Sequence, residues 1–230
     1  VRALDALCAL SGNPFRSGVG VSFYFGRRKP FQPFGKPVVH PRTIREPLLG
    51  HDVLAAKDPP IRVLWVTAGN PVSMLPDAPT VARAFEQTEF VVVADCLLTD
   101  TARRAHVVLP IPTLLEDSDV LGAYGHHWIA ESRPVVPPPP GVLHEVHLFQ
   151  ALATRVGLDS YPQHGVDQLK RQALGRIAGQ GAGLESLRRP GAVRSPLASP
   201  MLFPHGPVFT PTGPVQLLSE PPADVAVEPA

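Results

Sequence analysis

Chemistry in this chain is first sought at His144-Glu145-Val146-His147, which opens like the H-E-x-x-H of zinc proteases, two imidazoles flanking a carboxylate on one helical face. Position 148 is Leu, so the histidines stand three apart and the motif fails. The pair could still share a face and hold a metal, yet nine histidines in the chain make chance pairs common. His126 and His127 are adjacent, so in an extended segment they point to opposite faces and do not ligate together. Cys8 and Cys96 are single residues in apolar runs with no C-x-x-C, which assembles neither a zinc site nor an iron–sulfur cluster. There is no G-x-S-x-G elbow and no Walker A, and Gly18-Val19-Gly20 runs into Val21-Ser22-Phe23 without completing a dinucleotide fingerprint. What remains are polar residues just after apolar runs: Asn70, in Gly69-Asn70-Pro71, and Asp95.

The elements around them set those two residues at comparable places. Residues 61–67 are a short apolar run rich in β-branched side chains, closed by the turn signal Ala68-Gly69-Asn70-Pro71. Residues 77–88 read as a helix, with Asp77 as cap, Pro79 tolerated in the first turn, and Val81, Ala84 and Phe85 on one face. A second buried strand spans 89–94 and ends at Asp95, a short helix spans 99–105, and a third strand spans 107–109. Residues 142–156 read as a helix with Leu143, Val146, Leu148, Phe149, Leu152 and Ala153 on its apolar face. Continuously apolar strands alternating with helices predict an α/β fold, a Rossmann-like parallel sheet with helices on both faces. Right-handed crossovers then bring the turns after the strands to one edge, where ligands of such sheets bind.

Outside this unit the pattern is weaker. A helix is expected over 2–10, with Leu4, Leu7 and Cys8 on one face, stopping at Gly12-Asn13-Pro14. Residues 27–46 carry aromatics, basic residues and prolines but no period, and read as an extended crossing. Residues 166–177 read as a short helix, 178–200 are rich in Gly and Pro, and 208–218 could be two strands about a Thr-Gly turn. The expected organisation is a remnant of a preceding domain and a crossing over 1–58, the Rossmann-like unit over 59–158, a helical and Pro/Gly-rich linker over 159–205, and the start of a barrel domain over 206–230.

Composition excludes several classes. With 44% hydrophobic residues in 230, the chain buries a core and is neither fibrous nor fully disordered. Twenty-one Lys plus Arg against 20 Asp plus Glu leave a net charge of +1 and no electrostatic case for nucleic acid or a membrane surface as partner. No apolar stretch reaches the roughly 20 residues of a membrane span. Twenty-nine prolines, more than twice the usual share of about 5%, place the irregular crossings outside the sheet. Two free thiols are expected to be buried in a reducing compartment, which favours the cytoplasm over the periplasm. A start at Val1 within a helical pattern suggests a piece of a longer protein.

The elements form an ordered series: Gly69-Asn70-Pro71, Asp95, Thr99-Asp100-Thr101-Ala102, Ala105-His106-Val107-Val108-Leu109-Pro110, Glu116-Asp117, Tyr124-Gly125 and Pro139-Pro140-Gly141. This series resembles the Rossmann-like third domain of the molybdopterin-dependent oxidoreductases, the family of dimethyl sulfoxide reductases, nitrate reductases and formate dehydrogenases. The family pattern is G-N-P, D, T-E-T-A, A-D-V-V-L-P, an acidic residue near a glycine-bearing loop, and P-P-G-E. Residues 2–21 and Phe209-Thr210-Pro211-Thr212-Gly213 with Gln216-Leu217 extend the resemblance more weakly on both sides. His106 departs from the family's Asp, and the loop over 116–127 is longer than its counterpart.

The resemblance implies that the chain holds the guanosine diphosphate part of a molybdopterin guanine dinucleotide. Asn70 would present amide donors and acceptors at the first strand end. Asp95, with Ala94 beside it, would accept paired donors from the guanine or ribose. Asp117 and Glu145 are the further implied cofactor-binding residues. Each also has a bland reading: Asn70 sets a turn, Asp95 caps one, and Glu145 complements the helix dipole. The residue that ligates molybdenum in the family, and the iron–sulfur motif of members that carry one, lie upstream of the matched stretch, so this chain by itself is expected to be catalytically inert. An electron-transfer subunit is the implied partner, the small-molecule substrate is unidentified, and the alternative is a non-catalytic structural or electron-transfer relative.

Overall fold

The computed structural model describes residues 2–13, 31–32, 42–123, 126–159, 161–189, 191–198, 209–210 and 213–214. The expectations for the 18–20 turn, for 21–25, for most of 27–46, for Tyr124-Gly125 and for 215–218 lie outside the described residues. Helix α1 (Arg2–Leu10) ends at Gly12, whose φ of 70° glycine accepts without a Cβ penalty. Its expected face is only partly covered: Cys8 is buried, but Leu4 and Leu7 are exposed. Among the described residues no helix is long and apolar enough to cross a membrane.

A parallel sheet is built from β1 (Val63–Thr67), β2 (Phe90–Asp95) and β3 (Val107–Pro110), with β2 in the middle and Val66, Val93 and Val108 in register. The helices on the way are α2 (Leu49–Ala55), α3 (Pro71–Met74) and α4 (Ala78–Gln87). Side chains of a strand alternate between faces. Leu64, Val66, Val91 and Val93 accordingly meet Val72 of α3, Val81 and Phe85 of α4, and Leu49 of α2 in one core. Trp65 points the other way and packs on Phe149 of helix α5 (Glu145–Arg155), with ring centroids 5.3 Å apart. Helices thus lie on both faces, as expected. Only the central strand is buried over most of its length, from Val91 to Ala94; β1 is half-exposed and β3 largely exposed.

Local chemistry explains the helix ends. Asp77 adopts a left-handed φ of 56° and caps α4 by accepting from the Thr80 N–H at 3.2 Å, while its other oxygen meets His51 Nε2 at 2.9 Å. Val81, Ala84 and Phe85 form the buried face. Several boundaries differ from the sequence reading. The first strand starts at Val63, just after Arg62, whose side chain pairs with Glu89. The expected helix over 99–105 shrinks to a 3-10 turn at Ala102–Arg104. Helix α5 starts at Glu145, not 142, because the His144 ring caps it. Cys96 is exposed, contrary to the expectation of a buried thiol, because β2 ends one residue before it.

A second core is only partly anticipated by the sequence reading, whose helix over 166–177 breaks at Leu174 and packs into a core where a linker is expected. Strand β4 (Asp119–Leu121) pairs antiparallel with β5 (Trp128–Ser132), and β5 then pairs antiparallel with β6 (Val193–Arg194). Helix α6 (Val166–Ala173), the single turns α7 (Gly175–Ile177) and α8 (Leu184–Leu187), and Ile129 of β5 enclose Leu174, Ile177, Ala182, Leu184 and Leu187. These strands are two to five residues long and carry charged side chains, so they show no alternation that a local reading detects. Phe209–Thr210 pairs with Gly213–Pro214, as the Thr-Gly turn suggests.

Candidate functional site at the carboxyl edge of the sheet

The first turn leaves β1 through Ala68, whose φ of 47° is unusual for a residue with a Cβ and whose N–H still bonds to the Ala94 carbonyl at 2.9 Å. Asn70 then stands at the N-cap of α3, and its carbonyl accepts from the N–H groups of Ser73 and Met74. Its side chain serves the neighbouring turn: Oδ1 accepts from Thr101 Oγ1 at 2.7 Å and from the Thr101 N–H at 3.2 Å. Thr101 is wholly buried, and its Oγ1 in turn accepts from the Val72 N–H at 3.1 Å. Ser73 adds a hydroxyl bond of 2.7 Å to Asp100. The turns after β1 and β2 are therefore locked together.

Asp95 closes β2, half-buried, with Oδ1 accepting from the Leu97 N–H at 2.9 Å. Its carbonyl takes the Ile111 N–H at 3.4 Å, which aligns the turn after β3. Partial desolvation first, and then the Asp95 charge, push the pKa of the Cys96 thiol up. Ala94 has no exposed surface, and its carbonyl is taken by Ala68, so its place is in the sheet backbone.

Asp117 and Glu145 belong to a second cluster around His144. His144 Nδ1 accepts from the Val146 N–H at 3.1 Å, so its proton sits on Nε2, which faces Asp117 Oδ1 at 3.1 Å and the Ser118 carbonyl at 3.2 Å. Both nitrogens are thus committed to protein partners. His147 lies beside His144, ring centroids 5.9 Å apart, and no group of three or more metal-ligating side chains occurs among the described residues. Ser118 is held from the other side by Lys170 Nζ at 2.6 Å. Glu145 is half-buried, and burial, followed by the charge of Asp117, raises its carboxyl above the ordinary range.

That direction carries a prediction. A carboxyl whose folded pKa is raised weakens the fold where it is ionised, above the folded pKa, and the penalty fades as pH falls through that value. Glu145→Gln is expected to stabilise the fold slightly at pH 7, by under about 1 kcal/mol at a half-solvated site. The gain is expected to disappear near pH 4, close to the ordinary Glu value. Thermal melts at the two pH values check this, and an equal gain at both contradicts it.

Of the sequence-expected residues, Asn70 and Asp95 occupy adjacent strand-end turns, Ala94 is structural backbone, and Asp117 and Glu145 share the His144 cluster. Thr101 and Lys170 join the site only through the fold. The sequence signal for Thr101 is its place in Thr99-Asp100-Thr101-Ala102, just after the second strand.

The molybdopterin oxidoreductase family model matches residues 42–155, a stretch that holds all three parallel strands, both clusters and α5. Probable oxidoreductase YyaE of Bacillus subtilis (strain 168) is 28% identical over 205 residues, which are 86% of this chain and 30% of that protein. Probable oxidoreductase YoaE of the same organism is 32% identical over 185 residues, 78% of this chain and 27% of the relative. The dimethyl sulfoxide/trimethylamine N-oxide reductase of Cereibacter sphaeroides is 31% identical over 113 residues, 48% of this chain and 14% of that enzyme. Among solved structures, acetylene hydratase from Pelobacter acetylenicus superposes with a TM-score of 0.55 at 22% identity, over 73% of this chain and 22% of the other, a likeness of fold. The chain spans under a third of the length of the two Bacillus relatives.

Proposed function

The chain belongs to the molybdopterin oxidoreductase superfamily, and from that premise we propose that its carboxyl-edge turns hold the guanosine diphosphate part of a molybdopterin guanine dinucleotide. The observation that carries the reading is Asp95. It is a half-buried carboxylate at the end of the central strand, with a backbone N–H oriented onto Oδ1 and further acceptor sites for a ligand. A guanine ring presents adjacent N–H donors, which a carboxylate accepts as charge-assisted hydrogen bonds. The parallel topology supports the same place, since ligands of open α/β sheets bind outside the carboxyl ends of the strands.

When bound in the whole protein, the cofactor supplies two-electron oxidoreduction at molybdenum. This chain's part is to bind and orient. Asp95 holds the base, Asn70 and its turn border the nucleotide at the neighbouring strand, and the His144-capped start of α5 fixes the acidic loop.

The test is a calorimetric titration of the chain with guanosine diphosphate and adenosine diphosphate. Asp95→Asn keeps an acceptor for the Leu97 N–H and removes the charge. It is expected to weaken guanosine diphosphate about tenfold, or about 1.4 kcal/mol, without changing the melt. A folded wild-type chain that binds no guanosine diphosphate, or an Asp95→Asn variant that binds it as tightly as wild type, overturns the reading.

A further inference from the structure

The hydrogen bonds of Thr101 decide which atoms Asn70 can show to a ligand. The hydroxyl carries one proton, and the Val72 N–H already donates to Oγ1 at 3.1 Å, so that proton is directed to the Asn70 side chain at 2.7 Å. The Thr101 N–H converges on the same Asn70 atom at 3.2 Å. Two donors meet there, and only the amide oxygen can accept both. A flipped amide would set its NH2 against two donors around a threonine with no exposed surface, leaving buried groups unpaired. The orientation is therefore locked, and the side-chain group of Asn70 left to a ligand is Nδ2, a donor.

Asp95, one strand over, has the opposite character, an acceptor only when ionised. A nucleotide bridging the two turns meets an acceptor at one and a donor at the other. In guanosine diphosphate the N–H and O–H donors lie on the base and ribose, and the diphosphate offers oxygen acceptors alone. We propose that Thr101 is a positioning residue that holds Asn70 as a donor to the diphosphate oxygens, while Asp95 takes the donors of the nucleoside. This inference rests on the function proposed above.

The experiment titrates the chain with guanosine diphosphate and with guanosine, and follows melting in parallel. Asn70→Asp keeps an oxygen for both Thr101 donors but replaces the NH2 by a second, charged oxygen. It is expected to melt near wild type and to lose at least about tenfold in affinity for guanosine diphosphate, with guanosine changed less than about threefold. Thr101→Val, which removes the hydroxyl, is expected to show the same selective loss, and Thr101→Ser to restore wild-type discrimination. A role in stability alone would lower the melt without altering the ratio of the two affinities. If Thr101→Val fails to fold, Asn70→Asp and Thr101→Ser decide the matter. Equal losses for both ligands in Asn70→Asp, or no loss, overturn the assignment while guanosine diphosphate binding by wild type stands. A wild-type chain that binds neither ligand removes the functional reading and this inference with it.

Discussion

Lys170→Met is expected to cost about 3 kcal/mol of folding stability, the lower end of what breaking a buried ion pair costs. Lys170 is 3% exposed, and its ammonium donates to Glu131 Oε1 at 3.0 Å, to Ser118 Oγ at 2.6 Å and to the Ser132 carbonyl at 3.3 Å. The Glu131 side chain is 1% exposed and would keep only its arginine partners. Arg188 contacts both Glu131 oxygens at 3.2 Å, which holds the loss to the lower end. Adding Glu131→Gln to Lys170→Met is expected to recover part of the loss, since a neutral amide needs no counter-charge. Denaturant unfolding of the single and double variants checks this; a loss below about 1 kcal/mol, the worth of a surface pair, contradicts it.

The pH dependence has a definite sign. Burial alone would raise the Glu131 carboxyl, but hydrogen bonds from Arg188 and Lys170 outweigh it and hold the pKa below the ordinary range. A lowered folded pKa gives stability that is fully present above the unfolded value, roughly pH 4.3 for an ordinary Glu, and that is lost as pH falls through the folded pKa. Without Lys170 the Glu131 pKa rises, so the gap between wild type and Lys170→Met is expected to narrow on acidification. The same lysine grips Ser118, between Asp117 and Asp119, so the second core is tied to the acidic loop of the site.

Gly50→Ala is expected to destabilise by about 2 kcal/mol, as overpacking does. On helix propensity alone the change would gain up to about 1 kcal/mol. Here a Cβ would meet the Thr80 carbonyl carbon and the Val81 nitrogen, both at 2.7 Å, and these are backbone atoms of α4 that cannot rotate away. Helix α2 must shift off α4, which loosens Leu49 and Val53 from the core under the sheet. Gly179 has nothing within 4 Å of the equivalent point, so Gly179→Ala serves as the control and is expected to be near neutral. Equal thermal shifts for the two variants contradict the packing argument.

The parts legible in the sequence are those governed by near neighbours. The run at 90–94 is apolar at every position, and β2 is the strand with a continuous buried stretch, Val91 to Ala94. Asp77 three residues before Thr80, and Val81, Ala84 and Phe85 at helical spacing, announce a capped helix whose face is buried. Helix α2 escapes such a reading because seven residues with Leu49 and Val53 as apolar anchors hold too little period to stand out. His144 reads in the sequence as a possible metal ligand, whereas its ring caps α5, a role that depends on where the helix starts.

By itself the sequence determined the parallel α/β unit, the placing of Asn70 and Asp95 at consecutive strand ends, and the resemblance from which family membership follows. The first two depend on hydrophobic period and turn residues written within a few positions of one another, and the last on the order in which short motifs follow along the chain. The tertiary structure alone decided that Thr101 orients Asn70, that Ala94 is enclosed in the sheet, that Asp117 meets His144, and that Lys170 and Glu131 anchor a second core. The hydrogen bonds behind these arrangements join residues 26 to 39 positions apart. Hydrogen bonds and ion pairs of that span arise only when packing brings the partners within about 3 Å, and no local pattern of residue types encodes that approach.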